Sequence, residues 1–481
     1  MRAVLISTYE LGRQPFGLAS PAAWLRRAGW DVTCVDLTRQ PLPAASVKTA
    51  SLIGFHLPMH TATRLAAPAI ATVRRLGPSA RICAYGLYAP LNAAWLRSIG
   101  VDEVLGAEFE EELTAIALGC DLAARGESHG LPRGPASERT GPPELGPPEL
   151  PAALPRIHFL VPDRSGLPAL DRYATLHMPD GTRRLVGSTE ASRGCKHLCR
   201  HCPIVPVYEG RFRIVEPDVV LADIDAQVAA GAQHVTFGDP DFFNGPTHAM
   251  RVVDRLHAAH PALTYDVTIK IEHLLQHRHR LPRLRETGCL FVTSAVESID
   301  DRALAFLLKG HTREDFIAAV ALCRAIGLTL VPTFVAFHPW LTLEGYCDLL
   351  DTIARLDLID HVPSIQLAIR LLIPQGSKLL DLDEVRSLVT GFDPATLAHR
   401  WLHPDPRVDD LHREMTSLVG VRVASDRRGL FEEISALAHD RAGLARAAEP
   451  AAPSPALAAV PYLDEPWYCC AEPNPDQMRV I

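Results

Sequence analysis

The sequence predicts an α/β protein: a doubly wound parallel sheet over residues 1–118, then a partial (βα)6 barrel over residues 185–390. Three observations predict it. Short apolar runs of strand length alternate with helical patterns in both stretches. In the second stretch the units recur every ~25–40 residues, as repeated βα crossovers require. Between the two lies a segment rich in Pro, Gly, Ser and Glu, with the direct repeat GPPELGPPEL at Gly141–Leu150.

Taken in order, the first unit has strand candidates Ala3–Ser7, Val32–Asp36, Leu52–Phe55 and Arg81–Ala84. Its helical patterns include Ser20–Ala28 and Thr63–Leu76, the latter interrupted by Pro68. A ligand crevice is expected at the strands' C-terminal ends, near Ser7–Gly12, His56–His60 and Tyr85–Ala89. Residues 119–184 read as a linker and lead-in, since proline fixes φ and removes a donor. The second unit has strand candidates His234–Gly238, Thr264–Ile269, Cys289–Val296, Thr329–Ala336 and Ser364–Arg370, with helices such as Val219–Ala230 and Arg313–Ile326. Chemistry in such a sheet belongs at the C-terminal ends of the strands. Residues 391–448 read as a mainly helical extension. Residues 449–481 read as a linker, EPAAPSPALAAVPY, and a flexible tail containing WYCCAEP.

Composition sets limits. The chain has 481 residues, 47% hydrophobic and 22% charged, with a formal net charge of −8. That balance gives no general attraction to nucleic acid or to an anionic membrane. There is neither an export-type N-terminal segment nor a run of apolar residues long enough to span a bilayer, so a cytoplasmic protein with no membrane partner is expected. Of 11 cysteines, those in the two tight clusters at 195–202 and 469–470 suggest metal or redox chemistry in a reducing compartment.

Arg193–Pro203 reads RGCKHLCRHCP, a C-x3-C-x2-C spacing between a strand-like segment and a helix. Thiolates are soft ligands that suit iron–sulfur clusters and zinc. Three on one short loop can hold three irons of a cubane through Cys195, Cys199 and Cys202, leaving the fourth iron for a non-protein ligand. The alternative is zinc held by the three thiolates plus His197 or His201, in a zinc-binding interaction protein. Val235–Phe243, VTFGDPDFF, places Gly238, Asp239 and Pro240 at a strand end, where carbonyls and a carboxylate suit a cationic donor. The same triplet is also a turn signal. Lys270 and Glu272 share a face at the end of the third strand. They read either as a site pair or as a surface ion pair. Arg370 ends the expected sixth strand and matches carboxylate geometry.

The spacing of Cys195, Cys199 and Cys202 at the start of a partial barrel resembles the radical S-adenosylmethionine (SAM) superfamily. That resemblance implies a [4Fe-4S] cluster that cleaves SAM reductively to start radical chemistry, with Gly238–Asp239–Pro240 holding the SAM ammonium. It also implies an electron donor such as flavodoxin or ferredoxin. His201 stands where that family usually has an aromatic residue. Ala295–Ser298, AVES, resembles a G-x-E-S segment beside SAM in the subgroup with an N-terminal cobalamin-binding-type domain. There Glu297 and Ser298 would face the SAM ribose, or Glu297 would cap the next helix. Ile373–Lys378, IPQGSK, resembles a stretch after the last barrel strand of the same subgroup.

The 1–118 unit resembles that Rossmann-like, cobalamin-binding-type domain, with Asp102–Glu110 near its end. The lower-ligand signature D-x-H-x-x-G is absent, which leaves cobalamin as an open alternative. Tyr468–Pro473, YCCAEP, resembles the tail of the CUAEP/CCAEP-tail radical SAM family. Vicinal thiols can resolve a mixed disulfide or chelate a thiophilic element, so Cys469 and Cys470 are the candidate catalytic residues. The substrate is not named by these motifs. Two further enzyme readings stand beside hydrogen abstraction: aminocarboxypropyl transfer from SAM to a thiophilic acceptor, and cobalamin-dependent radical methyl transfer. No further RNA-binding module follows the barrel, so methylthiolation of transfer RNA is not expected.

Overall fold

The computed structural model describes residues 1–119, 156–420, 427–446 and 460–464. The Gly141–Leu150 repeat, most of the 449–462 linker, and both Cys469 and Cys470 lie outside the described residues.

Five strands open the chain: β1 (Arg2–Ser7), β2 (Asp31–Asp36), β3 (Leu52–His56), β4 (Arg81–Tyr85) and β5 (Glu103–Val104). They form one parallel sheet in the order β2-β1-β3-β4-β5. Successive side chains point to opposite faces, so an apolar run feeds two cores. Ala3 and Leu5 meet Leu18, Ala22 and Leu113 on one face, while Val4 and Ile6 meet Ala66, Ile70 and Val73 on the other. The helix His60–Leu76 runs straight through Pro68, which the sequence reading took as an interruption. Its buried face of Ala62, Ala66, Ile70 and Val73 on the sheet outweighs the lost hydrogen bond.

The lead-in supplies β6 (Thr175–His177), which pairs antiparallel with β7 (Arg183–Thr189). A ribbon follows, β8 (Ser192–Gly194) with β9 (Phe212–Ile214). Then β10 (His234–Phe237), β11 (Thr264–Thr268), β12 (Cys289–Glu297) and β13 (Thr329–Phe334) join β7 in a parallel half-barrel. The expected sixth strand at Ser364–Arg370 is instead a 3-10 helix, Ser364–Ala368, followed by a single parallel bridge between Phe337 and Arg370. The reason is local. The Gln366 side chain accepts from Phe334 N (2.9 Å), taking the place of a backbone ladder bond.

The stretch read as mainly helical begins with a hairpin, β14 (Val389–Asp393) and β15 (Ala398–Trp401). Asp393 shapes its turn by accepting from Ala395 N and Thr396 Oγ1, both at 3.0 Å. The helices Pro406–Val419 and Arg427–Ala442 follow and pack into the barrel core through Leu411, Met415, Leu430 and Ile434. Finally β16 (Tyr462–Leu463) adds to the far edge, antiparallel to β6. Asp464 fixes it, accepting from Thr175 N and Thr175 Oγ1, both at 2.8 Å.

Arg193 welds the front sheet to the barrel. Its guanidinium is buried beside Phe16, Phe109 and Phe159. It pairs with Glu110 (2.6 Å) and Glu190 (2.8 Å) and lies 3.6 Å from Glu108.

Candidate active site around the three-cysteine loop

The cysteine loop is the connection within the β8–β9 ribbon, which opens at the pair Gly194–Phe212. Gly194 has φ +77°, and a Cβ there would lie 2.3 Å from Tyr208 Cδ1 and 2.6 Å from Arg211 O, so only glycine fits. Asn244 ties the loop down. Its Oδ1 accepts from Lys196 N (3.2 Å) and from the Cys195 thiol (3.7 Å), and its Nδ2 donates to Gly194 O (3.3 Å). On the far side Arg200 donates through its backbone N to Leu307 O (3.0 Å) and through Nη1 to Phe306 O (2.8 Å).

Cys195 and Cys199 are buried, Cys202 is half-buried, and none is in a disulfide. Burial pushes the Cys195 thiol up to about 11. A ligating thiol gives up its proton, so a metal or cluster removes that penalty. A buried cation stands nearby. Burial works against the charge of Lys309, but Glu297 above all, and then Cys199, hold its pKa above the ordinary value. Such a neighbour favours thiolates.

Glu297 organises this side. It sits at φ +70° where the β12–β13 register shifts, a strained backbone that turns its side chain inward. Its Oε1 lies 3.0 Å from His201 Nε2 and 3.3 Å from Lys309 Nζ. Burial raises its pKa, yet Lys309 and His201 prevail and bring it down to about 2. Ser298 Oγ lies 3.3 Å from His338 Nε2. Both residues, with Glu297, line a cavity of ≈ 300 Å³ that runs on to Arg313 and Asp348.

The remaining expected residues fall in different places. Asp239 is buried, with Oδ2 accepting from Ala191 N (2.9 Å) and Oδ1 from Ser192 Oγ (2.5 Å), so it binds β10 to the ribbon. Gly238 beside it is exposed and donates to Thr189 O (2.8 Å), and Pro240 is half-buried. Lys270 is buried, 3.3 Å from Glu272 Oε2. That carboxylate presses on Gly310, where a Cβ would come within 2.6 Å of it. Arg370 is spent elsewhere. It stacks 3.6 Å from the Trp401 ring centroid, donates to Trp401 O (2.9 Å) and pairs with Asp409 (2.7 Å). The imidazoles that could complete a zinc–thiolate site turn Nε2 to carboxylates, His197 to Asp241 and His201 to Glu297.

Sequence reasoning missed Asn244 and His311 as site residues, and met Lys309 and His273 only as neighbours of the AVES segment and of the Lys270–Glu272 pair. His311 is buried with neither ring nitrogen partnered, and burial first, then Lys309 and Lys270, lower its pKa to about 4. Only their nearness to the quoted motifs signals them. The contacts themselves join residues on different βα units, which no periodicity reveals.

Residues 189–353 match the Radical SAM superfamily. The chain carries a radical SAM domain. Two curated relatives are methylthiotransferases. The tRNA-2-methylthio-N(6)-dimethylallyladenosine synthase of Methylococcus capsulatus is 28% identical over 39% of this chain and 43% of that protein. The ribosomal protein uS12 methylthiotransferase RimO of Acidithiobacillus ferrooxidans is 32% identical over 28% of each. The match thus spans less than half of either relative. Among solved structures, the radical SAM methyltransferase TsrM from Kitasatospora setae, with cobalamin and a [4Fe-4S] cluster bound, has a TM-score of 0.57 at 20% identity, covering 74% of this chain and 70% of that one. Apo OxsB, a cobalamin-dependent SAM radical enzyme, has a TM-score of 0.66 at 14% identity, covering 92% and 71%. At these identities the likeness is one of fold, a doubly wound domain followed by a half-barrel.

The radical SAM domain brings a [4Fe-4S] cluster and SAM as cofactors. Three thiols on one loop, none in a disulfide and beside a buried ammonium, fit the cluster's donor chemistry. The histidines of the front sheet are less open to a corrin. His56 lies 3.2 Å from Glu10 Oε2, and its ring fills the approach to Gly17, where a Cβ would meet it at 2.0 Å. His60 donates through Nε2 to Thr396 O (2.5 Å). Among the described residues no helix is long and apolar enough to cross a membrane.

Proposed function

We propose that Cys195, Cys199 and Cys202 hold the [4Fe-4S] cluster of a radical SAM enzyme that opens SAM reductively and starts radical chemistry on a substrate gathered by the tail. The observation that carries this reading is the set of three thiols, none in a disulfide, on one glycine-hinged loop beside the Glu297–Lys309 pair. The cluster, when bound, supplies the electron that breaks a carbon–sulfur bond of SAM. Lys309 favours the thiolates, Glu297 keeps Lys309 and His201 in place, and the strand-end groups Gly238, Glu297 and Ser298 offer acceptors for the ammonium and ribose of SAM. Buried Lys270, paired with the half-exposed Glu272, closes the third strand end. Arg370 is left out of the SAM site because its guanidinium is committed to Trp401 and Asp409. Methyl transfer through cobalamin stays as the second reading: His56 and His60 are both engaged, so a corrin in the front domain would bind without a histidine ligand.

We assign the tail to the CCAEP-tail type, with Cys469 and Cys470 in thiol chemistry or substrate capture. The direction of β16 supports it. β16 is antiparallel to β6 and β6 to β7, so the chain leaves Asp464 heading the way β7 heads, toward the cysteine loop. Cys469 is five positions beyond Asp464, an extended reach of at most ~17–18 Å.

The deciding experiment is anaerobic reconstitution followed by SAM and dithionite, with iron and sulfide analysis and mass spectrometry of the products. About four irons and four sulfides per chain are expected, with 5′-deoxyadenosine and methionine formed. A Cys195, Cys199, Cys202 triple alanine variant that kept its iron and charge-transfer absorbance would refute the ligand assignment. Methylthioadenosine in place of deoxyadenosine would shift the reading to aminocarboxypropyl transfer.

A further inference from the structure

Beside the cysteine loop, three side chains from three different βα units converge. His197 comes from the loop, Asp241 from the turn after β10, and His273 from the helix Ile271–Gln276 after β11. One ligand atom from each lies within 4.8 Å of the others. Asp241 and His273 are fully buried and His197 is mostly so.

The pairing is incomplete as hydrogen bonding. Asp241 Oδ1 accepts from Phe243 N (3.1 Å), which fixes the carboxylate and turns Oδ2 to the two imidazoles. Oδ2 lies 3.2 Å from His197 Nε2 and 2.6 Å from His273 Nδ1, but off the N–H axis of each ring. None of the three atoms closes a directed hydrogen bond. Buried polar atoms left in this way are costly. A cation sharing their lone pairs removes that cost.

We propose that His197 Nε2, Asp241 Oδ2 and His273 Nδ1 form a mononuclear site for a divalent first-row transition ion, distinct from the three thiols although His197 shares their loop. Two imidazoles and one carboxylate are borderline donors suited to zinc or ferrous iron rather than to magnesium or calcium. Three protein ligands leave a coordination position for a small molecule. On its other side His197 Nδ1 lies 3.6 Å from Glu272 Oε2. The ion would pin the middle of the cysteine loop to the ends of the second and third barrel strands.

The test uses the full chain with its cluster loaded, then incubated with zinc and desalted. About one zinc per chain beyond the iron is expected, with only nitrogen and oxygen scatterers at the zinc X-ray absorption edge. Asp241→Asn and His273→Gln should each lower retained zinc at least about tenfold while iron and sulfide stay at wild-type levels. No zinc above background in the wild type would overturn the site, whatever the variants do. Sulfur scatterers around the zinc would overturn it as well, by placing the metal on cysteines. Iron and sulfide content is read in the same samples, so failure of this site and failure of the cluster reading are told apart.

Discussion

His201 Nε2 lies 3.0 Å from Glu297 Oε1, so the residue before the third cysteine and the residue ending the fourth barrel strand form one buried pair. Lys309 completes it from the next loop. Both Glu297 and Lys309 are almost wholly buried, and removing one partner of such a pair leaves the other charge uncompensated. Glu297→Gln should therefore cost about 3–5 kcal/mol, read from denaturant midpoints of the anaerobic protein. Adding Lys309→Met should recover much of it, because the stranded cation is gone. A single variant losing under about 1 kcal/mol would mean that the pair is solvated.

Two glycines of the cysteine loop should respond differently. At Gly194 a methyl group strikes the backbone oxygen of Arg211, which cannot swing aside. At Gly210, φ +78°, the nearest atoms are Leu198 Cδ2 at 3.3 Å and Lys196 O at 3.4 Å. Gly210→Ala should cost only the left-handed backbone penalty of about 1–2 kcal/mol and keep its iron. Gly194→Ala should lose most of the iron retained after desalting. Equal iron in the two variants would contradict the tight closure of the ribbon.

Much of this architecture was legible because parallel strands buried on both faces are continuous apolar runs. Ala3–Ser7 and Cys289–Val296 are of that kind, and both are strands within a residue or two. The cysteine spacing was equally plain, since its members are neighbours in sequence. What stayed hidden depends on side chains acting in place of backbone, or on contacts across units. Gln366 caps Phe334 and dissolves a sixth strand that the apolar pattern of Ser364–Arg370 suggested. Arg370 finds Trp401 in a hairpin that read as helix. The convergence of His197, Asp241 and His273 needs three strand ends brought together first.

His60 gives the fold an acid-sensitive joint between the front sheet and the β14–β15 turn. Burial lowers its pKa to about 4, its bond to Thr396 O opposing and Arg64 adding slightly. The unfolded chain binds this proton near its ordinary value of 6.5, and the folded chain does not until about 4. The unfolded state therefore holds more protons between those values, so stability present above pH 6.5 is lost as the pH falls toward 4. His60→Gln should flatten this limb, by up to roughly 3 kcal/mol at pH 4. Urea midpoints of both proteins from pH 4.5 to 7.5 check it. Parallel pH curves would move the acid sensitivity to other buried histidines, such as His338 and His412, which are lowered to about 4 as well.

The β16 anchor should govern what the tail cysteines meet. Asp464 accepts two hydrogen bonds from Thr175 and lies 3.2 Å from His177 Nε2, while the Tyr462 ring stacks on His177 with centroids 4.8 Å apart. These contacts hold β16 and Asp464 on the barrel edge. In the cluster-loaded protein, SAM should therefore slow alkylation of Cys469 and Cys470 severalfold, read by peptide mass spectrometry. The two thiols should also titrate together with a trivalent arsenical, as a chelating pair does. Asp464→Ala removes the acceptor and should weaken the SAM protection while leaving iron content and reductive SAM cleavage unchanged. Cys469→Ser and Cys470→Ser should likewise retain cleavage of SAM, because neither is needed to hold the cluster. Alkylation rates indifferent to SAM would detach the tail from the site. So would a chain truncated after Leu463 that forms product from the natural substrate at the full rate. In either case the vicinal thiols would belong to a separate binding event, and radical formation at the barrel would proceed without them.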